Sequence, residues 1–338
     1  MEKKKGSKTL FTMVATMISA AVLLAGCGST GTNSENTGEG ETIKFPTSNL
    51  EVIVPYSAGG GTDTSGRIIT SVLEKEIGKS VVVINKPGAG GDVGMGEMQR
   101  AKADGHHLGF ISFPDNAIMA GYKETSYKNS DFIYLASFTR SPNVLIVKKD
   151  SKFSTLDELI NYAKEHPGEI TVSVSGDAHT YNAIQLEKEA GIDLSPVMFS
   201  GGGKNLNAVV GGHVEASIIT LQFAKPAMEQ GAKVIAIASE ERAEGLPDVP
   251  TFKELGYDVE ATTSRILTAP KDTPKEVVDK LVEVLDKVGQ DETLKTKITE
   301  MGEVYHFVSG AELETYLTER NNMIEEMVKE NKDAFTTN

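Results

Sequence analysis

Short apolar runs, each typical of a buried β-strand, alternate with amphipathic stretches along most of the chain. In the first of these stretches, apolar residues from Ile68 to Ile77 recur at helical spacing. Strands separated by helices predict an α/β fold with largely parallel sheets. The predicted strands are Glu51–Pro55, Ser80–Ile84, Leu108–Phe113, Val144–Lys148, Ile170–Ser175, Val214–Thr220 and Val234–Ala238.

The pattern changes towards the C-terminus, where one predicted helix follows another. The run Thr273-Pro274-Lys275-Glu276 matches a capping box with proline at the first helical position. Apolar residues from Val278 to Val288 then lie on one helical face, and a further helix is predicted from Ser309 onward. The chain is therefore expected to finish in helices.

The first 27 residues have the pattern of an export signal that ends at a cysteine. Four lysines precede an apolar stretch from Leu10 to Leu24, which is too short for a comfortable transmembrane span. The run from Leu24 to Cys27 resembles the lipobox of bacterial lipoproteins, in which the cysteine is acylated. The alternative is an ordinary secretory signal with an incidental cysteine. Cys27 is the only cysteine in the chain, which favours a lipid anchor.

Residues 28–47 are almost entirely polar or glycine and cannot bury enough apolar surface to fold, so they are predicted to form a flexible tether. Signal and tether together place the protein outside the cytoplasm and anchor it to a membrane by lipid. The predicted location is the outer face of the cell membrane, or the periplasm if the source has two membranes. The remaining length suggests two domains or one large one.

The formal net charge of the chain is −14. This acidity argues against nucleic acid as a partner, because phosphate binding needs clustered lysine and arginine. A small anionic ligand is still compatible with it. Such a ligand would be held by local amides and hydroxyls against the mean field of the protein.

Two glycine-rich segments each join a predicted strand to a predicted helix. Loop one, residues 54–64, contains three successive glycines, and loop two, residues 85–94, contains Gly88, Gly90 and Gly91. Glycines let the backbone approach a ligand closely, and helix N-termini present unsatisfied amides that suit a carboxylate or phosphate. Two such loops at strand ends can face one crevice. The alternative is that both are only tight turns with helix caps.

Asp63 and Asp92 close these two loops and admit two interpretations. A catalytic role is one, and capping of the first helical turn is the favoured one. A carboxylate at this place would also repel an anionic ligand unless a water or a ligand donor lay between them.

Signatures of an enzyme or a cofactor site are weak in this sequence. No G-x-S-x-G motif is present, Ser200–Lys204 fails the P-loop pattern, and Gly88–Gly90 fails the dinucleotide pattern. The histidines lack metal-ligand spacing, and His179 stands out only because it lies where a strand gives way to a helix. We therefore expect no enzyme activity, no cofactor and no metal.

Several short motifs follow one another from about residue 48 to the C-terminus. They are residues 55–67, 83–91 and 104–108, then Ser175-Gly176, Gly201-Gly202 with 210–214, residues 246–252, and Ala269-Pro270 with Thr273-Pro274. In combination and order they resemble the solute-binding proteins of tripartite tricarboxylate transporters, the Bug or TctC-like family.

The resemblance implies a two-domain periplasmic-binding-protein fold of type II, a clamshell with C-terminal helices. Domain 1 would comprise residues 48–140 plus 262–338, and domain 2 residues 141–261, with crossings near Ser137–Pro142 and Glu260–Ser264. The family implies a monomer that closes over one ligand and docks on a membrane permease.

The resemblance also implies a site in which the first two loops hold a ligand carboxylate. Carried over by position, the ligand-binding residues are Ser57, Gly59, Gly60, Gly61, Thr62 and Asp63 in loop one, Gly90, Gly91 and Asp92 in loop two, and Ser175, Gly176, His179, Ser200 and Gly201 in domain 2.

The sequence departs from the family in two places. Ser264-Arg265-Ile266 stands where the family carries an aromatic pair and a glycine, and Phe113–Asn116 replaces a loop of small polar residues. If Arg265 faces the cleft it can pair with a second carboxylate, and if it faces solvent it is an ordinary surface residue. A di- or tricarboxylate is the family expectation, although aromatic and amino-acid ligands also occur.

The function predicted from the sequence is that of an extracytoplasmic solute-binding lipoprotein. It would capture a small organic acid and deliver it to the permease subunits of a tripartite tricarboxylate transporter. Two alternatives stay open at this point, a ligand-binding sensor for a membrane receptor and a lipid-anchored enzyme that acts on a small acid.

Overall fold

The structure, a computed structural model, describes residues 44–199 and 201–336. The predicted signal with Cys27, most of the predicted tether, and Ser200 lie outside the described residues. None of the helices in the described ranges is both long and apolar enough to cross a bilayer.

Eleven strands and eleven α-helices make up the described chain. The strands are β1 Leu50–Val54, β2 Val81–Asn85, β3 His107–Phe113, β4 Phe132–Thr139, β5 Ser141–Val147, β6 Thr171–Val174, β7 Ser195–Met198, β8 Ala216–Thr220, β9 Lys233–Ile237, β10 Thr262–Pro270 and β11 Tyr305–Ser309. The helices are α1 Gly61–Ile77, α2 Asp92–Gln99, α3 Asp115–Tyr122, α4 Leu156–Glu165, α5 Asp177–Ala190, α6 Gly202–Val210, α7 Ala224–Glu229, α8 Lys275–Val288, α9 Glu292–Glu300, α10 Gly310–Glu330 and α11 Lys332–Thr336.

All seven predicted strands are present within a few residues of their predicted ends, but the sheet is mixed rather than largely parallel. The main path runs β2-β1-β3-β10-β5-β8-β6-β7. Strands β1, β2 and β3 pair in parallel, as do β6, β7 and β8. Strand β10 runs antiparallel to β3, β4 and β5, and β5 runs antiparallel to β8 and β9. The prediction of parallel pairing was wrong for these strands. It did not consider that the chain returns through the centre of the sheet in the opposite direction.

Apolar side chains collect on the two halves of this sheet. Residues 44–139 and 262–336, which we call the first lobe, pack around cores that include Phe110, Phe138 and Leu285. Residues 141–261, the second lobe, pack around cores that include Ile160 and Phe252. Each core is built on strands rich in Val, Ile and Leu, whose burial drives their pairing.

Strand β10 joins the two halves and was not predicted. All nine of its residues are buried, although it begins with Thr262, Thr263, Ser264 and Arg265. Thr262 and Thr263 pair with β5, and the residues from Ser264 onward pair with β3 and β4. Pattern analysis did not identify this central strand, because it begins with polar residues and its polar and apolar residues do not alternate.

An ion cluster bridges the chain segments that run between the lobes. Arg140 lies between β4 and β5, and its guanidinium pairs with Glu260, just ahead of β10. Arg320 of α10 pairs with the same carboxylate, and both arginines lie against the ring of Tyr316. The described residues pack as one continuous unit, and the predicted domain boundaries stay a prediction.

Helices α8 to α11 complete the chain, so the predicted C-terminal helices are confirmed. The start of α8 differs from its prediction. Pro274 occupies the N-cap without a side-chain bond, and the hydroxyl of Thr273 donates to the carbonyl of Pro270 at 2.7 Å. The prediction of a capping box is therefore wrong, because the Thr273 hydroxyl forms its hydrogen bond within the turn that precedes the helix.

Candidate functional site

A cavity of about 970 Å³ lies between the lobes, at the carboxyl ends of the parallel strands. Loop one follows β1, loop two follows β2, and the segments after β6 and β8 face them from the second lobe. Ligands of open α/β sheets bind at such strand ends. The cavity is lined by these predicted residues: Ser57, Gly59, Gly60, Gly61, Thr62, Gly90, Ser175, Gly176, His179, Gly201 and Arg265.

Three helices begin at this cavity with glycine in the N-cap position. The N-cap is Gly60 for α1, Gly176 for α5 and Gly201 for α6, and none of the three helices has a side-chain cap bond from it. The first amides of a helix lack intrahelical acceptors and carry partial positive charge. The wall therefore presents N–H groups from both lobes, an arrangement suited to a carboxylate.

Asp63 holds loop one in shape from behind the wall. Its carboxylate accepts the amide of Gly59 at 2.8 Å, the side-chain amide of Asn85 at 2.8 Å and Arg67 Nε at 3.0 Å. It is 3% exposed and does not line the cavity. Although burial opposes ionisation, these donors keep the pKa of Asp63 below its usual value. Its interactions differ from the predicted cap because it binds the loop ahead of the helix, not the first-turn amides.

Loop two is fixed in a similar way. Asp92 accepts the amide and the hydroxyl of Ser126, at 2.8 and 3.0 Å, and does not cap its own helix, whose N-cap is Gly91. A Cβ on Gly91 would lie 3.3 Å from the ring of Tyr56, which itself lines the cavity. A Cβ on Gly94 would lie 2.6 Å from Pro55 Cα, so α2 packs directly on loop one. Gly91 and Asp92 thus shape the loop, and Gly90 alone of the predicted loop-two residues lines the cavity.

His179 ties three elements of the second lobe together. Its Nδ1 accepts the amide of Ser175 at 3.2 Å, and its Nε2 lies 3.3 Å from the hydroxyl of Thr220 at the end of β8. Burial lowers the pKa of His179 to about 4. At neutral pH the imidazole is uncharged, so it contributes hydrogen bonds and no positive charge to the cavity.

Arg265 faces the cavity, which decides between the two alternatives for this residue. It is 6% exposed; Nη1 donates to the Ser112 hydroxyl at 2.8 Å and Nη2 to Glu303 Oε1 at 3.3 Å. A Cβ on Gly61 would lie 2.9 Å from its Nη2, so the guanidinium lies beside loop one. The guanidinium therefore lies next to loop one, and its predicted pairing with a second carboxylate stays a prediction.

Sequence analysis missed an acidic patch that also lines the cavity, formed by Asp115 and Asp177. Asp115 Oδ1 accepts the amide of Ala178 at 3.0 Å, and its Oδ2 accepts the Ser112 hydroxyl at 2.8 Å. Asp177 accepts the Tyr122 hydroxyl at 3.2 Å. Asp115 lies two residues after the end of β3 and Asp177 three residues after the end of β6, a signal that could have identified them. Glu303, buried between α9 and β11, carried no such signal.

Burial and the neighbouring charge of Asp115 raise the pKa of Asp177 to about 7. The Tyr122 hydroxyl and Lys123 act in the opposite direction and do not cancel this effect. Two carboxylates on one buried wall disfavour each other's ionised forms.

Within residues 44–199 and 201–336, no group of three or more His, Cys, Asp or Glu side chains is placed to hold a metal ion. The Tyr56 phenol is kept neutral, since burial raises its pKa well above the usual value. Besides amides and hydroxyls, the cavity lining includes the ionisable side chains of Arg265, Lys123, Lys204, Asp115 and Asp177.

Residues 66–332 match the model of the tripartite tricarboxylate transporter family receptor, TctC. A curated relative, the UPF0065 protein in the gbd 5' region of Cupriavidus necator, is 32% identical over 252 residues, covering 74% of this chain and 77% of its own.

Two solved structures share the fold. An R. palustris protein solved with adipate has a TM-score of 0.76 at 25% identity, covering 84% of this chain and 97% of its own. MatC from Rhodopseudomonas palustris with bound malate has a TM-score of 0.70 at 27% identity, covering 86% of this chain and 99% of its own. The predicted α/β periplasmic-binding-protein fold is confirmed.

The raised pKa of Asp177 predicts how stability depends on pH. Between pH 4 and pH 7 the folded protein keeps a proton that the unfolded chain loses, so this residue's contribution to stability falls as pH rises. Asp177→Asn removes the effect, and its free energy of unfolding relative to wild type should rise by about 1 kcal/mol per pH unit in that window. Urea denaturation of both proteins at pH 5, 6, 7 and 8 measures it. His179 titrates in both proteins and cancels in the difference, and a difference that stays constant with pH contradicts the assignment.

Proposed function

The chain belongs to the tripartite tricarboxylate transporter family of receptors, TctC, and we propose that it captures a small carboxylate outside the cytoplasm and delivers it to a transporter permease. Members of this family are solute-binding receptors and not enzymes. The enzyme alternative is therefore set aside.

The observation that carries the proposal is the wall formed by loop one and Arg265. Loop one presents the first amides of α1, with no side-chain cap, and the guanidinium lies beside Gly61. Backbone amides and a guanidinium are both good donors to a carboxylate, and charge-assisted hydrogen bonds are the stronger kind. The relatives solved with adipate and malate favour the same ligand class. A di- or tricarboxylate, as predicted from the sequence, is one member of that class.

Closure of the two lobes supplies the mechanism. Each lobe has its own apolar core, and the cavity takes lining residues from both. A ligand that touches both walls binds the closed arrangement better than the open one and shifts the population towards it. The loaded, closed form would then present the surface that the permease recognises.

A lipid on Cys27 would keep this receptor near its permease. The predicted tether would leave the folded part free to turn while the anchor confines it to the membrane surface, although its last residues are not free, because Phe45 packs on His106 and the Thr47 amide donates to that ring. Confinement raises the effective concentration of receptor at the permease without any new contact. This supports a position on the outer face of the cell membrane, or in the periplasm of a source with two membranes.

Small carboxylates should raise the melting temperature of the purified protein, because a ligand that binds only the folded state stabilises it. Gly61→Ala pushes a methyl group against Arg265 Nη2 and should weaken that binding roughly ten- to a hundredfold, as overpacking of about 1–3 kcal/mol implies. Gly203→Ala is the matched control, since Gly203 also lines the cavity but nothing lies within 4 Å of its Cβ position. A melt that responds to neutral solutes and to no carboxylate contradicts the proposal.

Lipidation is tested by mass and by partitioning. Wild-type protein from cells should carry an acylated N-terminal cysteine at position 27 and enter the detergent phase of a two-phase extraction. Cys27→Ala should abolish acylation, while Ser29→Ala, two residues downstream, should leave it intact. If the wild-type protein begins elsewhere and carries no acyl chain, the segment is an ordinary secretory signal.

A further inference from the structure

The acidic patch of Asp115 and Asp177 gives the cavity a second, negative pole. Their carboxylates are held by neutral donors, the Ala178 amide and Ser112 hydroxyl for Asp115 and the Tyr122 hydroxyl for Asp177. Among the described residues, neither carboxylate forms an ion pair with lysine or arginine within 4.0 Å. The hydrogen bonds to the two carboxylates thus come from neutral groups, while the charge of Lys123 acts on Asp177 and Arg265 reaches Asp115 through the Ser112 hydroxyl.

Asp115 also occupies a place that a ligand carboxylate would need. It accepts the amide of Ala178 in the first turn of α5, so one of the three helix N-termini at the cavity already binds an anion from the chain itself. A ligand carboxylate at this end would have to displace Asp115 and lie beside Asp177. At the start of α1, next to Arg265, Asp63 binds the Gly59 amide ahead of the helix and Glu303 Oε1 lies 3.6 Å from the Cβ position of Gly61, but Gly60 gives the helix no side-chain cap.

The lysine and arginine side chains that line the cavity are Lys123, Lys204 and Arg265. Arg265 lies beside Gly61 and shares its charge with Glu303, whose side chain is fully buried. Lys123 Nζ donates to the carbonyl of Ala89 in loop two at 3.3 Å. The cavity thus has helix amides and one guanidinium at loop one, and two carboxyl groups at the start of α5.

We propose that the ligand is a zwitterion, a small amino acid whose carboxylate binds loop one beside Arg265 and whose ammonium group binds between Asp115 and Asp177. The inference rests on the proposed function, because it assumes that a carboxylate fills the loop-one pole. It narrows the ligand class, since a second carboxylate at the other pole would meet two like charges.

Charge and hydrogen bonding both suit an ammonium group at this pole. It offers three donors to carboxylate oxygens that otherwise accept only neutral N–H and O–H groups. The raised pKa of Asp177 reflects the difficulty of ionising it beside Asp115, and a cation between them removes that difficulty. The aromatic hydroxyl of Tyr122 and the amide of Ala178 would keep the two carboxylates in place.

Isothermal titration calorimetry at pH 7.5 with compounds that differ by one amino group tests the inference. The pairs are γ-aminobutyrate with butyrate, aspartate with succinate, and glutamate with glutarate. In the best-binding pair, the wild-type protein should bind the amino compound at least about tenfold more tightly, as one good charge-assisted contact implies. Asp115→Asn and Asp177→Asn should each remove most of that ratio and should strengthen binding of the amino-free compound.

The matched control is Asp272→Asn, an exposed acidic residue outside the cavity, which should leave the ratio unchanged. If amino-free compounds bind the wild-type protein as tightly as their amino partners, the inference is overturned while the proposed function stands. If no carboxylate in any pair binds, the proposed function fails and the inference with it. The wild-type comparison holds even if a variant misfolds, which melting curves would reveal.

Discussion

The convergence of helix N-termini on one cavity is the constraint on which the rest of the site depends. Helices α1, α5 and α6 begin there with Gly60, Gly176 and Gly201, which provide no side-chain cap. Amides left without intrahelical acceptors must find partners or water, so a wall of this kind favours anions whatever the net charge of the chain. The acidic protein can therefore hold an acid, because the local donors outweigh the mean field.

A hydrogen-bonded chain of side chains couples the two walls of the cavity. It runs from Glu303 through Arg265 and Ser112 to Asp115, and from there to the Ala178 amide of α5 in the second lobe. Nearly all of it is buried, where interactions between charges are stronger than in water. The chain brings the Arg265 guanidinium and the Asp115 carboxylate to the same hydroxyl, that of Ser112, and it makes Asp115 a contact between the lobes as well as a wall residue.

Much of the fold was predictable because strands and helices have periodic patterns of apolar residues in the sequence. Loops one and two could be identified from their consecutive glycines. Strand β10 was not predicted because its polar first residues, among them Arg265, face a cavity that cannot be recognised in the sequence. Asp63 and Asp92 were placed in the right loops but with the wrong partners, since Gly59 and Ser126 come near them only in three dimensions. Glu303 and the pairing of Asp115 with α5 likewise depend on contacts between residues distant in sequence.

A crystal structure of the protein with its tightest-binding carboxylate tests the central claim most directly. The account predicts a ligand carboxylate within hydrogen-bond distance of the first amides of α1, with the Arg265 guanidinium beside it. It also predicts that both lobes contact the ligand. A carboxylate bound at the start of α5 in place of Asp115, or a ligand bound outside this cavity, would contradict the account.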